Sequence, residues 1–311
     1  MRRKFLFIAL TLAGACGAAS VVASTAEAQG LFRKAIAKRL EEQQKKSGQP
    51  APAGMDFAYG DDLLQHGDFW RATGEQPAPL VIFVHGGGWK RGDKSNATGA
   101  AKVTHFRASG YAVASIDYRL VPAASVEEQA ADVAHAVAWL IGHARELGVD
   151  SRRVVLMGHS AGAHLAALIG TDMRYFREAG LRGDAVRGIV LLDGAAYNVP
   201  RQIAEGGNFM HDTYLQAFGA DVARQRALSP TLQAAAPNAP SFLILHVARA
   251  DGTAQSKALA TALNNAGTAA EIHGFEGTGL RGHTAINRQL GEVDYPATPV
   301  VDAYLSRVFQ P

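Results

Sequence analysis

The 311-residue chain has one cysteine, Cys16. A single thiol cannot build a disulfide framework or a cysteine-rich metal site. An excess of charge of one sign is missing too: 31 Lys and Arg face 28 Asp and Glu, a formal net charge of +3. Setting residues 1–28 aside removes Arg2, Arg3, Lys4 and Glu27 and leaves +1. So small an imbalance does not argue for a nucleic-acid or anionic-lipid partner. The only long apolar run near the start, Phe5 to about Leu12, is too short for a stable membrane span. There is no H-E-x-x-H and no Cys/His cluster, so no metal is implied. There is no G-x-G-x-x-G after the first strand, so no nucleotide cofactor is implied either. Internal repeats and low-complexity tracts are likewise absent.

The first 28 residues have the layout of a secretory signal peptide. A basic start is followed by an apolar stretch and then small residues up to Ala26-Glu27-Ala28. This predicts export to the periplasm or the medium, with lipid anchoring through Cys16 as the weaker alternative. A mature chain cut after Ala28 holds no cysteine and can fold in an oxidising compartment. Residues 29–54 read as a helical arm and linker. LFRKAIAKRLEEQQKKS places Leu31, Ile36 and Leu40 on one thin apolar face, and QPAPAG closes the segment. The rest, 55–311, is long enough to bury one large core and reads as one domain.

Within that domain, apolar strands alternate with helices. Strands are expected at 80–84, 111–116, 153–157, 186–192, 242–247 and 269–273, and helices at 126–144, 159–170, 256–266 and 299–309. Nearly continuous apolar strands separated by helices predict an α/β fold: a mostly parallel central sheet with helices on both faces. The interval from about 193 to 235 is too long for an ordinary connection and predicts a small helical cap insertion.

Two glycine-rich motifs stand where such a sheet places chemistry. Gly158-His159-Ser160-Ala161-Gly162 lies between a strand and a helix. A G-x-S-x-G in that context forms a tight turn that holds a serine hydroxyl above the sheet edge, making Ser160 the candidate nucleophile. His85-Gly86-Gly87-Gly88-Trp89 follows another buried strand. Its glycines let the backbone approach a ligand, so the amides of Gly87 and Gly88, with that of Ala161, are the candidate oxyanion hole. A serine hydroxyl needs a base, and the base an orienting carboxylate. His283 is the favoured base and Asp251, just past strand 242–247, the favoured acid. Asp294 is the fallback acid. His246 and His273 read as structural, His211 as a surface residue and His164 as a packing or supporting residue. His159 is read as projecting away from the serine. Trp89, Tyr197 and Leu280 are the candidate substrate-pocket residues.

Taken together, HGGGW at 85–89, DYRL at 117–120, GHSAG at 158–162 and a late Asp followed by His resemble the α/β-hydrolase superfamily. Within it the chain is similar to the small HGGG-bearing carboxylesterases, a group that includes hormone-sensitive-lipase-like, acetylxylan/feruloyl esterase-like and kynurenine-formamidase-like enzymes. The resemblance implies the Ser160–Asp251–His283 triad and a structural role for Asp117 and Tyr118 beneath the HGGG loop. The chain departs from the pattern by reaching its acid through RAD instead of G-x-x-D. The expectation is an exported serine carboxylesterase for short-chain or aromatic acyl esters, on small-molecule or carbohydrate-linked substrates and without a cofactor. An arylformamidase on the same groups, or a non-catalytic ligand-binding homologue, is the alternative. Oligomeric state is not legible in the sequence.

Overall fold

The run Leu80-Val-Ile-Phe-Val84 carries no polar alternation, and a strand of that kind is stable only when both of its faces are covered. In the computed structural model this is so. Leu80, Ile82 and Val84 enter one core while Val81 and Phe83 enter another, all essentially inaccessible. Fully burying such a side chain stabilises by about 1.5–3 kcal/mol, so the two cores together fix the sheet's position.

The structure describes residues 53–95, 99–205 and 208–310. The expected leader, and the arm's amphipathic helix at 31–47, lie outside the described residues. The described chain begins with β1 (Met55–Ala58), β2 (His66–Trp70) and β3 (Ala78–Val84), then α1 (Ala100–Ala108), β4 (Ala112–Ile116) and α2 (Val126–Gly142). Next come β5 (Val149–His159), α3 (Ala161–Thr171) and β6 (Gly188–Leu192). Four short helices follow: α4 (Val199–Glu205), α5 (Asn208–Phe218), α6 (Val222–Ala227) and α7 (Pro230–Gln233). The chain then forms β7 (Ser241–Ala248), α8 (Ala250–Asn265), β8 (Ala269–Thr278), α9 (Gly279–Arg288) and α10 (Ala297–Val308).

The eight strands make one sheet in the order β1-β2-β4-β3-β5-β6-β7-β8. β1 pairs with β2 and β2 with β4 antiparallel, and every pairing between β4 and β8 in that order is parallel. One face is covered by α2, α3 and α8, through residues such as Val133, Leu165 and Leu259; the other by α1, α9 and α10, through Phe106, Ile286 and Tyr304. The α2 start is fixed by a capping box: Ser125 accepts from the Glu128 amide, and the Glu128 carboxylate accepts from the Ser125 amide. Parallel strands end on the same side of a sheet, so their following loops collect there. The register sets Val84 beside Gly158, Gly158 beside Leu191 and Leu192 beside Leu245. Both glycine motifs therefore emerge at one edge, next to the loops after β6 and β7.

Candidate active site

The turn after β5 is sharp. Ser160 has φ 55° and ψ −117°, a region that side chains rarely occupy, and α3 begins at the next residue. Glycine at 162 is required by contact: a Cβ there would stand 2.3 Å from the Val84 carbonyl oxygen and 2.4 Å from that of His85. The elbow and the HGGG strand end thus touch backbone to backbone, which explains why the serine has small neighbours.

In the HGGG segment, Gly87 and Gly88 have φ of 136° and 63° and Trp89 has φ 62°. A Cβ on Gly88 would lie 3.1 Å from Cγ2 of Thr213, so α5 lies over this loop. The loop is held from below. The Tyr118 hydroxyl donates to the His85 carbonyl over 2.9 Å, and its ring stacks on the His85 imidazole at 4.3 Å. Asp117 accepts the Lys94 amide over 2.6 Å. Burial pushes the Asp117 carboxyl up to about 6 and the His85 imidazole down to about 4.

Trp89 does not face an open pocket. Its side chain is 1% exposed and packs edge-on against Phe218 and His164. Its indole N–H donates to His164 Nδ1 over 3.3 Å, and His164 Nε2 donates to the Leu228 carbonyl over 2.9 Å. The positive φ turns this side chain into the core, where it pins the loop instead of forming a substrate wall. Tyr197 is also fully buried, at 0% exposed, and cannot meet a substrate from solvent. Leu280 is 44% exposed on α9, three residues ahead of His283.

His283 lies one turn into α9. Its Nδ1–H donates over 2.6 Å to Oδ2 of Asp193, the first residue after β6. That bond fixes the tautomer and leaves Nε2 as the basic nitrogen. The expected acid, Asp251, lies elsewhere. It sits in the first turn of α8, one-third exposed, and accepts from Gln202 Nε2 of α4 over 3.2 Å. The reason is local: after β7 the chain enters α8 almost at once, which turns Asp251 toward α4, while Arg249 takes the place facing His283's partner. The fallback Asp294 is exposed. Asp193 carries its own mark of constraint, φ 45° on a buried carboxylate. Burial opposes its ionisation, but His283, Arg249 and the Val247 amide outweigh burial and hold it below the usual carboxylate range. The sequence signal was present in Gly-Ile-Val-Leu-Leu-Asp193, a charge placed directly against a buried strand.

His159 packs against the histidine of this pair. Its ring lies 4.5 Å from that of His283, and its Nε2 donates to the His283 carbonyl over 2.9 Å. Burial, then the neighbouring His283, hold it well below the ordinary imidazole range. It braces the start of α9 as a neutral ring. His246 is buried near Thr253, and His211 and His273 are half-buried. No described helix is long and apolar enough to cross a membrane, and no three described His, Cys, Asp or Glu side chains cluster as metal ligands.

Esterase B of Lactobacillus rhamnosis (HN001) superposes with a TM-score of 0.72, covering 94% of this chain and 95% of that one at 20% identity. This is the α/β-hydrolase fold. Sequence likeness on this α/β-hydrolase scaffold is to carboxylic ester hydrolases and to a formamidase. The BD-FAE family model matches residues 69–185, the span holding HGGG, DYRL and GHSAG. Esterase LipC of Mycobacterium tuberculosis is 33% identical over 201 residues, 61% of this chain and 49% of LipC. Kynurenine formamidase of Drosophila melanogaster is 34% identical over 111 residues, 36% of each chain. The chain therefore aligns with about half the length of LipC and about a third of the formamidase.

Proposed function

We propose that this α/β-hydrolase is a serine carboxylesterase in which Ser160 is the nucleophile, His283 the base and Asp193 the acid. The observation that carries the reading is the meeting of two strained corners at one sheet edge. Ser160 is held at φ 55° on the elbow, and Asp193, at φ 45°, fixes the tautomer of His283. Backbone strain of this kind costs roughly 1–3 kcal/mol per residue and persists where function demands it.

In this mechanism Ser160 Oγ attacks the ester carbonyl and its proton passes to His283 Nε2. Asp193 stabilises the imidazolium through Nδ1. Negative charge on the carbonyl oxygen is met by the amides of Gly87, Gly88 and Ala161. The alcohol leaves with the proton from Nε2. Water then attacks the acyl carbonyl while giving a proton to the same nitrogen, and that proton passes to Ser160 Oγ as the ester bond to the enzyme breaks and the carboxylic acid leaves. Short or aromatic acyl groups, on small or carbohydrate-linked alcohols, suit a cap made only of the short helices α4 to α7. The likeness to a kynurenine formamidase supports aryl formamides as the second substrate class, handled by the same groups.

Export through residues 1–28 belongs to the same proposal. Amino-terminal sequencing of the protein from fractionated cells is expected to begin at Gln29, and recovery of the intact leader on active protein would remove this part. The activity is tested by hydrolysis of p-nitrophenyl acetate and butyrate, and of a matched aryl formamide, by the wild type beside Ser160→Ala. Release abolished in the variant supports the serine esterase. Equal release by both proteins overturns it. A formamide rate above the ester rate would shift the assignment to an amidase.

A further inference from the structure

The acid of the proposed triad is not alone with its histidine. Asp193 Oδ2 accepts two charge-assisted hydrogen bonds, from His283 Nδ1 over 2.6 Å and from Arg249 Nε over 2.8 Å. Its other oxygen accepts the Val247 amide over 3.2 Å. The same guanidinium reaches the carbonyl oxygens of Asp193 and Gly194 through Nη2 at 3.4 and 3.3 Å, so it grips the backbone of the strained corner as well as its side chain. On its far side Nη1 stands 3.9 Å from Oδ1 of Asp251, which Gln202 holds in turn. Arg249 is 15% exposed and the Asp193 side chain 0%, so the pair is screened little by solvent.

Two effects follow from elementary electrostatics. Both lone pairs of Oδ2 are used, so the carboxylate cannot rotate away from His283 without breaking a second charged contact. The arginine also offsets part of the negative charge that would stabilise an imidazolium at His283, and Asp251 restores some of it from beyond the guanidinium. Among the described residues, the groups facing this cluster come from several elements. His159 meets His283 from the end of β5, and Asp193 comes from the end of β6. Arg249 and Asp251 come from the start of α8, and buried Lys102 of α1 acts on His159. The phenols of Tyr197 and Tyr295 lie near Asp193 and that of Tyr214 near Asp251 and Arg249, all three pushed up by burial and therefore neutral.

We infer that Arg249 is a positioning residue: it acts through Asp193, clamping the carboxylate for His283 and setting the pH at which His283 becomes a free base, with Asp251 as its counterweight. The inference rests on the esterase reading for its kinetic consequence only. Asp251 thereby has a place beside the triad, as the second anion on Arg249.

The test reads one midpoint in two ways: the acid limb of kcat/KM on p-nitrophenyl acetate, and the imidazole NMR titration of His283. Arg249→Met is expected to raise both by about one pH unit, since a cation a few ångströms away is lost from a weakly screened site. It is also expected to lower plateau kcat about tenfold with KM little changed, as for an interaction made in the transition state. Arg249→Lys keeps the charge and restores the midpoint, though not all of kcat. Asp251→Asn moves the midpoint the other way, by a few tenths of a unit. A folded Arg249→Met protein whose two midpoints stay at the wild-type value overturns the inference. If that variant does not fold, Asp251→Asn decides, and an unmoved or raised midpoint there overturns it equally. A wild type with no esterase turnover sinks the esterase reading, while the NMR titration still tests Arg249.

Discussion

His283 Nδ1 and Asp193 Oδ2 stand 2.6 Å apart across ninety residues of sequence, and the bond decides which nitrogen of the imidazole is free. Replacing the carboxylate by an amide keeps its shape but removes its charge and offers a donor where the imidazole also donates. Asp193→Asn is therefore expected to lower kcat by about 10³–10⁴-fold, as for a triad whose histidine is held in the wrong tautomer. Asp251→Asn is expected to cost less than about tenfold, because that carboxylate reaches His283 only through Arg249. Steady-state kinetics of the two variants on one p-nitrophenyl ester check the pair. The reverse ranking would return the acid to Asp251.

Strain at the elbow gives a second prediction. Ser160 occupies φ 55° and ψ −117°, where glycine alone is at ease. Ser160→Gly is expected to stabilise the fold by about 1 kcal/mol while abolishing turnover, because it removes the side chain that the backbone must strain to present. Ser160→Ala is expected to abolish turnover with no comparable gain, since alanine keeps the Cβ. Urea denaturation of the three proteins is the measurement. Equal midpoints for the glycine and alanine variants would mean that the corner stores no energy.

Why the sequence exposed some of this site and hid the rest is itself physical. The strands β3, β4, β6 and β7, and the later half of β5 from Val154, are legible because burial on both faces leaves them nearly free of polar residues. GHSAG and HGGG are legible because a close backbone approach, as at Gly162, permits no other residue. β1 and β2 are not: at four and five residues, with His66 and Asp68 among them, they carry no periodic signal and depend on antiparallel pairing. α1 escapes notice for a similar reason, with buried Lys102 interrupting its apolar face. The sequence pointed to Asp251 as the partner of His283 because two aspartates each follow a strand, and composition does not tell which way a side chain turns. A φ of 45° turns Asp193 toward His283, whereas the Asp251-Gly252 pair, a common turn signal, here opens a helix. An aromatic beside three glycines reads as a pocket wall until the positive φ of Trp89 is known.

The buried imidazole of His164 makes stability depend on pH. Burial holds it at about 4, against 6.5 for an ordinary histidine. The folded state therefore keeps His164 neutral while the unfolded chain takes up a proton below 6.5, so stability is complete above that pH and is lost as pH falls toward 4. Protonation would also remove the Nδ1 lone pair that accepts from Trp89. The loss from this one group is on the order of 3 kcal/mol across the window. His85, held at about 4 for the same reason, adds a loss of the same sign. Asp117, raised to about 6, runs the other way and favours the folded state as pH falls. Chemical denaturation between pH 7.5 and 4.5 is expected to show a shallower decline in His164→Gln than in the wild type. Parallel curves would show that His164 contributes nothing to the slope.

Trp89 separates a buried anchor from a substrate wall. The structure gives its indole N–H one partner, His164 Nδ1, and its carbonyl two, the Val121 amide at 3.0 Å and Gln129 Nε2 at 2.8 Å. Trp89→Phe keeps most of the packing and loses only the N–H bond and part of the ring, so it is expected to cost about 1–2 kcal/mol of stability. Trp89→Ala leaves a cavity in the core and is expected to cost about 3–5 kcal/mol. In neither variant does the substrate meet a new surface. The ratio of kcat/KM for butyrate over acetate esters should therefore stay within about twofold of the wild type, even where kcat itself falls because the Gly87-Gly88 loop is held less firmly. A change in that ratio of tenfold or more in Trp89→Phe, with the fold intact, would place the indole against the acyl chain and reverse the assignment.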